Sequence, residues 1–493
     1  MPRSTISFIR RGQRVDVSNI DPKTTLLDWL RLHERSTGTK EGCAEGDCGA
    51  CTVVLARERD GKLVYEPVNS CIMLLGQVDG SEVITVEDLA TSQGLHKVQR
   101  AMVENHGSQC GFCTPGIVMS LFALSHAGRE IIDRSAINDA LAGNLCRCTG
   151  YRPIVDAAIQ ACSDHSPDHF DARAEKTLEL FKQFRSLEDV FVGDDDSFFA
   201  APAAESSLAF LVQKYPDATL IAGATDVGLW ITKGLAPIKK LIWLGRIRAL
   251  AGVEETEATI SIGAGVTHET AAPYLAAIDQ DFSEIAGRFG SQQVRTSGTV
   301  VGNIANGSPI GDWPPCFLIL DAELELRAGL ATRTLPLEDF FIAYKKQNRE
   351  PGEYLRRVIL KKPGAHDHIR LFKITKRRDE DISAVMSAFR ITVEEGLITQ
   401  ARIAFGGMAG TPKRAQSAEA AIIGLPIKDI ATWRAGAEGL SADFSPLSDH
   451  RASAEYRMRV ARNLIIKALA EMAGVPSSST RIVGLREDAH VAP

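Results

Sequence analysis

Eight of the ten cysteines fall in two tight groups between residues 43 and 148. The first is Cys43-x4-Cys48-x2-Cys51, with Cys71 after nineteen intervening residues; the second is Cys110-x2-Cys113, with Cys146-x-Cys148 after thirty-two. Thiolates gathered this closely bind soft metals or exchange as dithiols. The opening MPRSTISFIRRGQRVDV lacks the apolar core of a secretory leader, and no apolar run approaches the roughly 20 residues that a membrane helix needs. A cytoplasmic location with no membrane partner is therefore expected, and in that reducing compartment clustered cysteines point to metal rather than disulfides.

The first group has the C-x4-C-x2-C…C spacing of plant-type [2Fe–2S] sites, in which three thiolates from one loop wrap two irons and the fourth arrives from a neighbouring strand. Gly42, Gly46 and Gly49 let such a loop bend and turn its N–H groups toward sulfur. Buried reduced cysteines are the bland alternative, and four thiolates also suit zinc, although zinc usually takes paired C-x2–4-C spacings. By spacing alone the second group is ambiguous: zinc, a dithiol and an iron–sulfur cluster all remain open. Cys162 and Cys316 stand apart and read as core cysteines.

Around these residues the chain organises itself visibly. ISFIRRG and QRVDV alternate like a hairpin turning at Gly12; TTLLDWLRLH reads as an amphipathic helix; TVVLARER and LVYEPV form strands about Asp60-Gly61. Residues 86–162 turn helical, with LHKVQRAMVENH, GIVMSLFALSHA and SAINDALAGNL interrupted by Gly and Pro, as in a compact bundle. Residues 163–190 are charged and poor in large apolar residues at their start, which reads as a linker or exposed crossing segment. Beyond 191 strands and helices mix, and a further α+β region runs from about 370 to 480. At 493 residues, with 44% hydrophobic and 24% charged residues, three or four domains with room for large cofactors are expected. A net charge of −6 argues against nucleic acid as a partner.

Two stretches in the second half could take a nucleotide. TLIAGATDVGLW (219–230) sets a strand before a Gly-bearing turn, which presents N–H groups to phosphate or simply makes a tight turn. FGSQQVRTSGTVVGNIANGSPIGD (289–312) spaces small residues closely enough for a chain to lie along a dinucleotide. Neither is a GxGxxG fingerprint, so a Rossmann fold is not indicated.

QCGFCTPG (109–116) and GNLCRCTGYRPIVDA (143–157) closely resemble the second cluster motif of the molybdenum hydroxylases of the xanthine dehydrogenase and aldehyde oxidase kind. The resemblance covers nearly the whole chain. It implies an α+β multidomain protein: a plant-type ferredoxin (β-grasp) domain at 1–85, a helical [2Fe–2S]-binding bundle at 86–162, a linker at 163–190, an FAD-binding domain of the vanillyl-alcohol-oxidase type at 191–368, and a C-terminal flavoprotein domain like that of CO dehydrogenase at 369–482, which includes IAFGGMAGTPKRA. Metal ligands would be Cys43, Cys48, Cys51 and Cys71 for one cluster, and Cys110, Cys113, Cys146 and Cys148 for the other. FAD would meet Leu220, Ile221, Ala222, Gly223, Ala224, Thr225, Asp226 and Val227 along its pyrophosphate. Further FAD contacts would come from Thr299, Val300, Val301, Gly302, Asn303 and Asp312, with Phe289 facing the isoalloxazine and Lys373 as the basic residue. KRRDED (376–381) resembles the family loop on the nicotinamide side. One position departs, since the family reads Gly-Gly-Asn where this chain has Val301-Gly302-Asn303. Phe289 and Lys373 also have bland readings, as a core aromatic and a solvated charge.

The implied function is electron transfer. Molybdopterin would sit on a large partner subunit, in an α2β2 heterotetramer, because nothing after residue 480 could form its domains. Electrons from hypoxanthine or xanthine oxidation would pass through the helical-domain cluster and the plant-type cluster to FAD and on to NAD+. No catalytic residue is expected on this chain. The purine substrate follows from domain order, so another N-heterocycle or aldehyde hydroxylase remains open. A self-contained NADH:acceptor reductase and a zinc-holding scaffold are the competing classes.

Overall fold

The computed structural model describes residues 2–128, 132–184 and 188–482, and the described residues form two compact units, one up to 249 together with 290–299, the other 250–289 together with 300–482. The chain is an α+β multidomain protein with mixed sheets.

The first unit begins with a five-stranded sheet in the spatial order Gln13–Val17, Ile6–Arg10, Glu82–Ile84, Thr52–Arg59, Lys62–Asn69. Both hairpins close with two-residue loops, Arg10 pairing Gln13 and Arg59 pairing Lys62. Their central residues have positive φ, 53° and 70° at Arg11 and Gly12, 50° and 79° at Asp60 and Gly61. That is the primed turn whose twist suits paired strands. Strand Thr52–Arg59 buries both faces because each is covered: Val54 and Ala56 point to the helical bundle, while Val53 and Leu55 point to a second sheet. TTLLDWLRLH is helical but not one regular helix, since a turn capped by the Thr25 side chain (Leu26–Asp28) widens into a π-helical turn (Trp29–His33).

The bundle contains helices Lys97–Glu104, Thr114–Ser125, Arg134–Leu141 and Arg152–Ser163, closed around Val98, Ile117, Phe122, Ile137 and Ile154. Within 163–190 the chain is helical at His169–Ala172 and Ala174–Phe184, where Phe170 and Phe181 are buried; residues 185–187 lie outside the described residues. The second sheet runs Val190–Gly193, Phe198–Ala201, Lys240–Trp243, Thr219–Ile221, its last three strands parallel. Phe199 fills the space that Gly76 leaves, since a Cβ at Gly76 would lie 2.3 Å from its ring.

The second unit holds an antiparallel five-stranded sheet, Val253–Glu255, Thr259–Gly263, Tyr354–Lys361, Glu323–Ala328, Ala331–Pro336. An antiparallel sheet of Asp367–Ile374, Val385–Glu394, Leu397–Gly406 and Lys413–Arg414 follows. Helices Ile430–Asp443 and Ala454–Met472 cover it through Leu440, Ile465 and Leu469 against Phe389, Ile403 and Phe405. Among the described residues no helix is long and apolar enough to cross a membrane.

Candidate functional site

The loop before strand Thr52–Arg59 carries Cys43, Cys48 and Cys51. It turns tightly through Ala44, Gly46 and Gly49, with φ of 55°, 77° and 67°. Gly42 is needed for a different reason, because a Cβ there would lie 2.7 Å from Cys48 Sγ. Backbone N–H groups do turn toward sulfur: Glu45 and Cys48 donate to Cys43 Sγ at 3.5 and 3.4 Å. Cys71 enters just past strand Lys62–Asn69 and places its Sγ 3.2 Å from that of Cys51. The Cys48 and Cys71 thiols, donating to Cys43, hold it far below the ordinary thiol range, whereas Cys43 and Cys51 drive Cys71 far above it. The four sulfurs thus contact one another pairwise along the order Cys48, Cys43, Cys71, Cys51.

No three cysteine sulfurs among the described residues lie mutually within 4.8 Å. One tetrahedral zinc at a Zn–S distance of about 2.3 Å would draw all four to roughly 3.8 Å from each other. Four sulfurs linked in a chain of contacts, Cys48 to Cys43 to Cys71 to Cys51, are a donor set that two irons could share.

In the second group Cys113 caps helix Thr114–Ser125, and Cys146 and Cys148 lie just ahead of helix Arg152–Ser163. Both helices carry proline in the first turn, where its missing N–H costs nothing. Tyr151, at φ 67°, turns its hydroxyl back to accept from Cys146 N at 2.8 Å, and Thr149 Oγ1 lies 3.1 Å from Cys146 Sγ. The sulfurs pair as Cys110 with Cys148 and Cys113 with Cys146. Burial first, then the Cys146 neighbour, pushes the Cys113 thiol up to about 12. Cys110 and Cys148 are exposed and the other two half-buried. Cys162 is buried in the apolar core of the bundle and Cys316 is buried in helix Trp313–Leu318, both apart from the two cysteine sites.

The two cysteine sites abut. Leu145, next to Cys146, donates its N–H to the carbonyl of Cys48 at 3.0 Å. A Cβ at Gly49 would lie 2.0 Å from Gly143 O, and one at Gly116 would lie 2.1 Å from Gly49 O. Buried Asn144 completes the seam by donating to Gly49 O at 3.2 Å. Asn144 carries no cysteine chemistry and was not singled out, although it stands inside the GNLCRC stretch.

Of the residues expected to meet FAD, 220–227 and Thr299 lie in the first unit. Strand Thr219–Ile221 gives way to a turn with Ala224 at φ 59° and then helix Val227–Thr232. Gly223 answers a packing need, since its Cβ would lie 2.1 Å from Ser297 O and 2.6 Å from Gly298 Cα. The turn rests on the first cysteine site: a Cβ at Gly228 would lie 2.4 Å from Ile72 O, Thr232 Oγ1 donates to Ala44 O at 2.8 Å, and Leu229 packs on Cys51 and Cys71.

The remaining expected residues lie in the second unit. Val300, Val301, Gly302 and Asn303 open helix Val300–Asn306. Val301 is buried in ordinary helical backbone, so the departure from Gly-Gly-Asn carries no conformational strain there. Asn303 Oδ1 is buried and has no hydrogen-bond partner among the described residues, which leaves an acceptor that a cofactor hydroxyl would fit. Lys373 is not a solvated charge: it is buried and ion-paired with Asp312. Half-buried Phe289 lies tilted against His268 at 4.0 Å and stacks on Trp313 at 5.8 Å, and the Trp313 indole N–H donates to His268 Nδ1 at 3.0 Å. His268 and Trp313 carried no signal in the sequence. In the KRRDED loop, Asp381 accepts from the backbone of Lys376 and Arg377 at 2.8 Å.

Residues 8–75 match the 2Fe-2S iron-sulfur cluster binding domain family and 85–159 the [2Fe-2S] binding domain family. Residues 195–362 match the FAD binding domain in molybdopterin dehydrogenase, and 370–472 the CO dehydrogenase flavoprotein C-terminal domain. Xanthine dehydrogenases of Drosophila pseudoobscura pseudoobscura and Emericella nidulans are 32% and 31% identical over 94% and 90% of this chain. The chain spans only 39% and 36% of their lengths. Among solved structures, a Cu,Mo-CO dehydrogenase in cyanide-inactivated form superposes with a TM-score of 0.52 at 26% identity, over 55% of this chain and 95% of that one. Carbon monoxide dehydrogenase from Hydrogenophaga pseudoflava does so with 0.52 at 27%, over the same shares. Two iron–sulfur domains, an FAD domain and a flavoprotein C-terminal domain in this order make the chain a member of the molybdenum hydroxylase family, as its iron–sulfur and FAD electron-transfer part.

Proposed function

We propose that this chain is the electron-transfer subunit of an NAD+-dependent xanthine dehydrogenase. Molybdopterin is held outside these residues, on a large partner subunit in a cytoplasmic α2β2 assembly. With the cofactors bound, the helical-domain cysteines would hold the cluster that receives electrons and the flavin domain would pass them on to NAD+. The domain division 1–85, 86–162, 191–368 and 369–482, with 163–190 between the halves, belongs to this reading.

One observation carries it: the turn at 220–227 and its helix rest on the plant-type cysteine loop, which in turn abuts the helical-domain site. That is the serial order helical site, plant-type site, flavin turn. The relatives' printed name, xanthine dehydrogenase, supports the purine substrate.

Bound FAD would supply the conversion between one-electron and two-electron traffic. The chain's own residues do the positioning. Leu229 and Ile72 place an apolar contact beside Cys51 and Cys71, which excludes water there. Leu145 N–H holds the Cys48 carbonyl, so neither cysteine loop drifts from the other. Residues 220–227 would take the pyrophosphate, Asn303 would accept from a cofactor hydroxyl, Phe289 would face the isoalloxazine, and the buried Asp312–Lys373 pair would set the charge nearby.

The test uses the cofactor-loaded chain with and without its copurified partner. Alone it should oxidise NADH with an artificial dye and leave xanthine untouched; with the partner it should couple xanthine to NAD+. Xanthine turnover by the chain alone, or no NADH:dye activity, overturns the reading.

A further inference from the structure

Gln293 lies in the four-residue helix Gln292–Arg295, capped by Ser291, and its side chain is 1% exposed. Its Nε2 lies 3.1 Å from Thr52 Oγ1, 3.2 Å from Ser120 Oγ and 3.2 Å from Asn144 Oδ1. Thr52 follows Cys51 and Asn144 precedes Cys146 by two residues, while Ser120 belongs to the helix that Cys113 caps. One amide thus reaches the structural surroundings of both cysteine sites from a segment more than a hundred residues away. Thr296 anchors that segment by donating to Pro67 O at 2.6 Å.

The chemistry of this pocket admits only a donor at its centre. Thr52 Oγ1 already gives its hydrogen to Gly49 O at 2.7 Å, and Ser120 Oγ gives its own to Asn144 Oδ1 at 2.7 Å. All three atoms facing Gln293 therefore present lone pairs. The amide orients Asn144, and Asn144 Nδ2 holds Gly49 O at 3.2 Å, beside the Leu145 N–H to Cys48 O bond. A carboxylate of the same shape would set its oxygens against three acceptors and release that seam.

We propose that Gln293 is a positioning residue for electron transfer between the two cluster sites: it locks residues 143–145 against Cys48 and Gly49 and so fixes the distance and orientation across which a single electron passes. One electron leaves one site and one enters the other, with no bond made or broken. The inference rests on the electron-transfer reading above.

The test takes the full chain loaded with iron, sulfide and FAD, as parent, Gln293→Glu and Gln293→Met. All should hold about four irons per chain. In both variants the spin–spin splitting between the two dithionite-reduced clusters should collapse. Hydrogen exchange at Leu145 should accelerate while that of helix Thr114–Ser125 stays as in the parent. On mixing with NADH, flavin reduction should keep its parental rate and reduction of the helical-domain cluster should lag. Gln293→Met retains the shape without the charge, so it decides the matter if Gln293→Glu does not fold. Parental splitting and parental exchange at Leu145 in the folded variants would overturn the role of Gln293. A parent chain that NADH cannot reduce would overturn the functional reading instead, and the splitting and exchange would still judge Gln293.

Discussion

Lys373 Nζ lies 2.7 Å from Asp312 Oδ2, and both side chains are buried. The pair is fully occupied: Ser383 Oγ donates to the other Asp312 oxygen at 2.6 Å, and Lys373 also donates to Arg288 O at 3.0 Å. Removing one charge strands the other away from water. Lys373→Met should therefore cost about 3–5 kcal/mol of stability, and the double change Lys373→Met, Asp312→Leu should cost less than Lys373→Met alone. Denaturant midpoints of the single and double variants check this, with FAD retention measured alongside.

The cysteine pairing makes a spectroscopic prediction. The reduced chain should show two distinct paramagnetic signals from about four irons and four acid-labile sulfides. Cys48→Ser should erase one signal and Cys146→Ser the other. Loss of the same signal in both variants would show that the eight ligands do not divide into these two sites.

Gly228 has no room for a side chain, because its Cβ would lie 2.4 Å from Ile72 O. Gly228→Val should push helix Val227–Thr232 off the plant-type site and destabilise the chain by about 1–3 kcal/mol. Electron transfer from flavin to the plant-type cluster should slow more than NADH-to-flavin hydride transfer. Stopped-flow absorbance separates the two steps.

Asp168 sits between two imidazoles, with His96 Nε2 at 2.7 Å and His126 Nε2 at 3.1 Å. Burial raises its carboxyl, but His126 and His96 outweigh burial and hold it well below the usual carboxylate range. The folded value is thus lower than the unfolded one of about 3.9. The stabilisation is present above that pH and is lost as the pH falls below it. Asp168→Asn should be less stable than the parent by about 1.5–3 kcal/mol near neutrality, since the carboxylate's hydrogen bonds to both rings are weakened, and the gap should close as the pH drops under about 4. A gap of constant size from pH 7 to pH 3 would refute the ionic account.

The sequence was most legible where chemistry leaves no choice of residue. Four thiolates per cluster demand cysteine at eight positions, and the Arg11-Gly12 and Asp60-Gly61 turns announce hairpins within a few residues. Legibility failed where the partner is remote. Lys373 reads as the flavin domain's basic residue or as a solvated charge, and nothing in the sequence announces its partner Asp312, 61 residues earlier; Gln293 is 241 residues from Thr52. The stretch 163–190 looks like a linker by composition, yet Phe170 and Phe181 anchor helices that a charge count conceals. Val301 stands where the family has glycine, and its helical backbone is one that any residue adopts.

Residues 290–299 complete the first compact unit although the segments before and after them build the second. During synthesis the first 249 residues emerge without the strip that brings Gln293 to Asn144 and Thr296 to Pro67. At 5–20 residues per second the intervening fifty residues take roughly 3–10 s. Throughout that interval the seam between the two cysteine sites lacks the closing contacts of Gln293 and Thr296, which only the later sequence supplies.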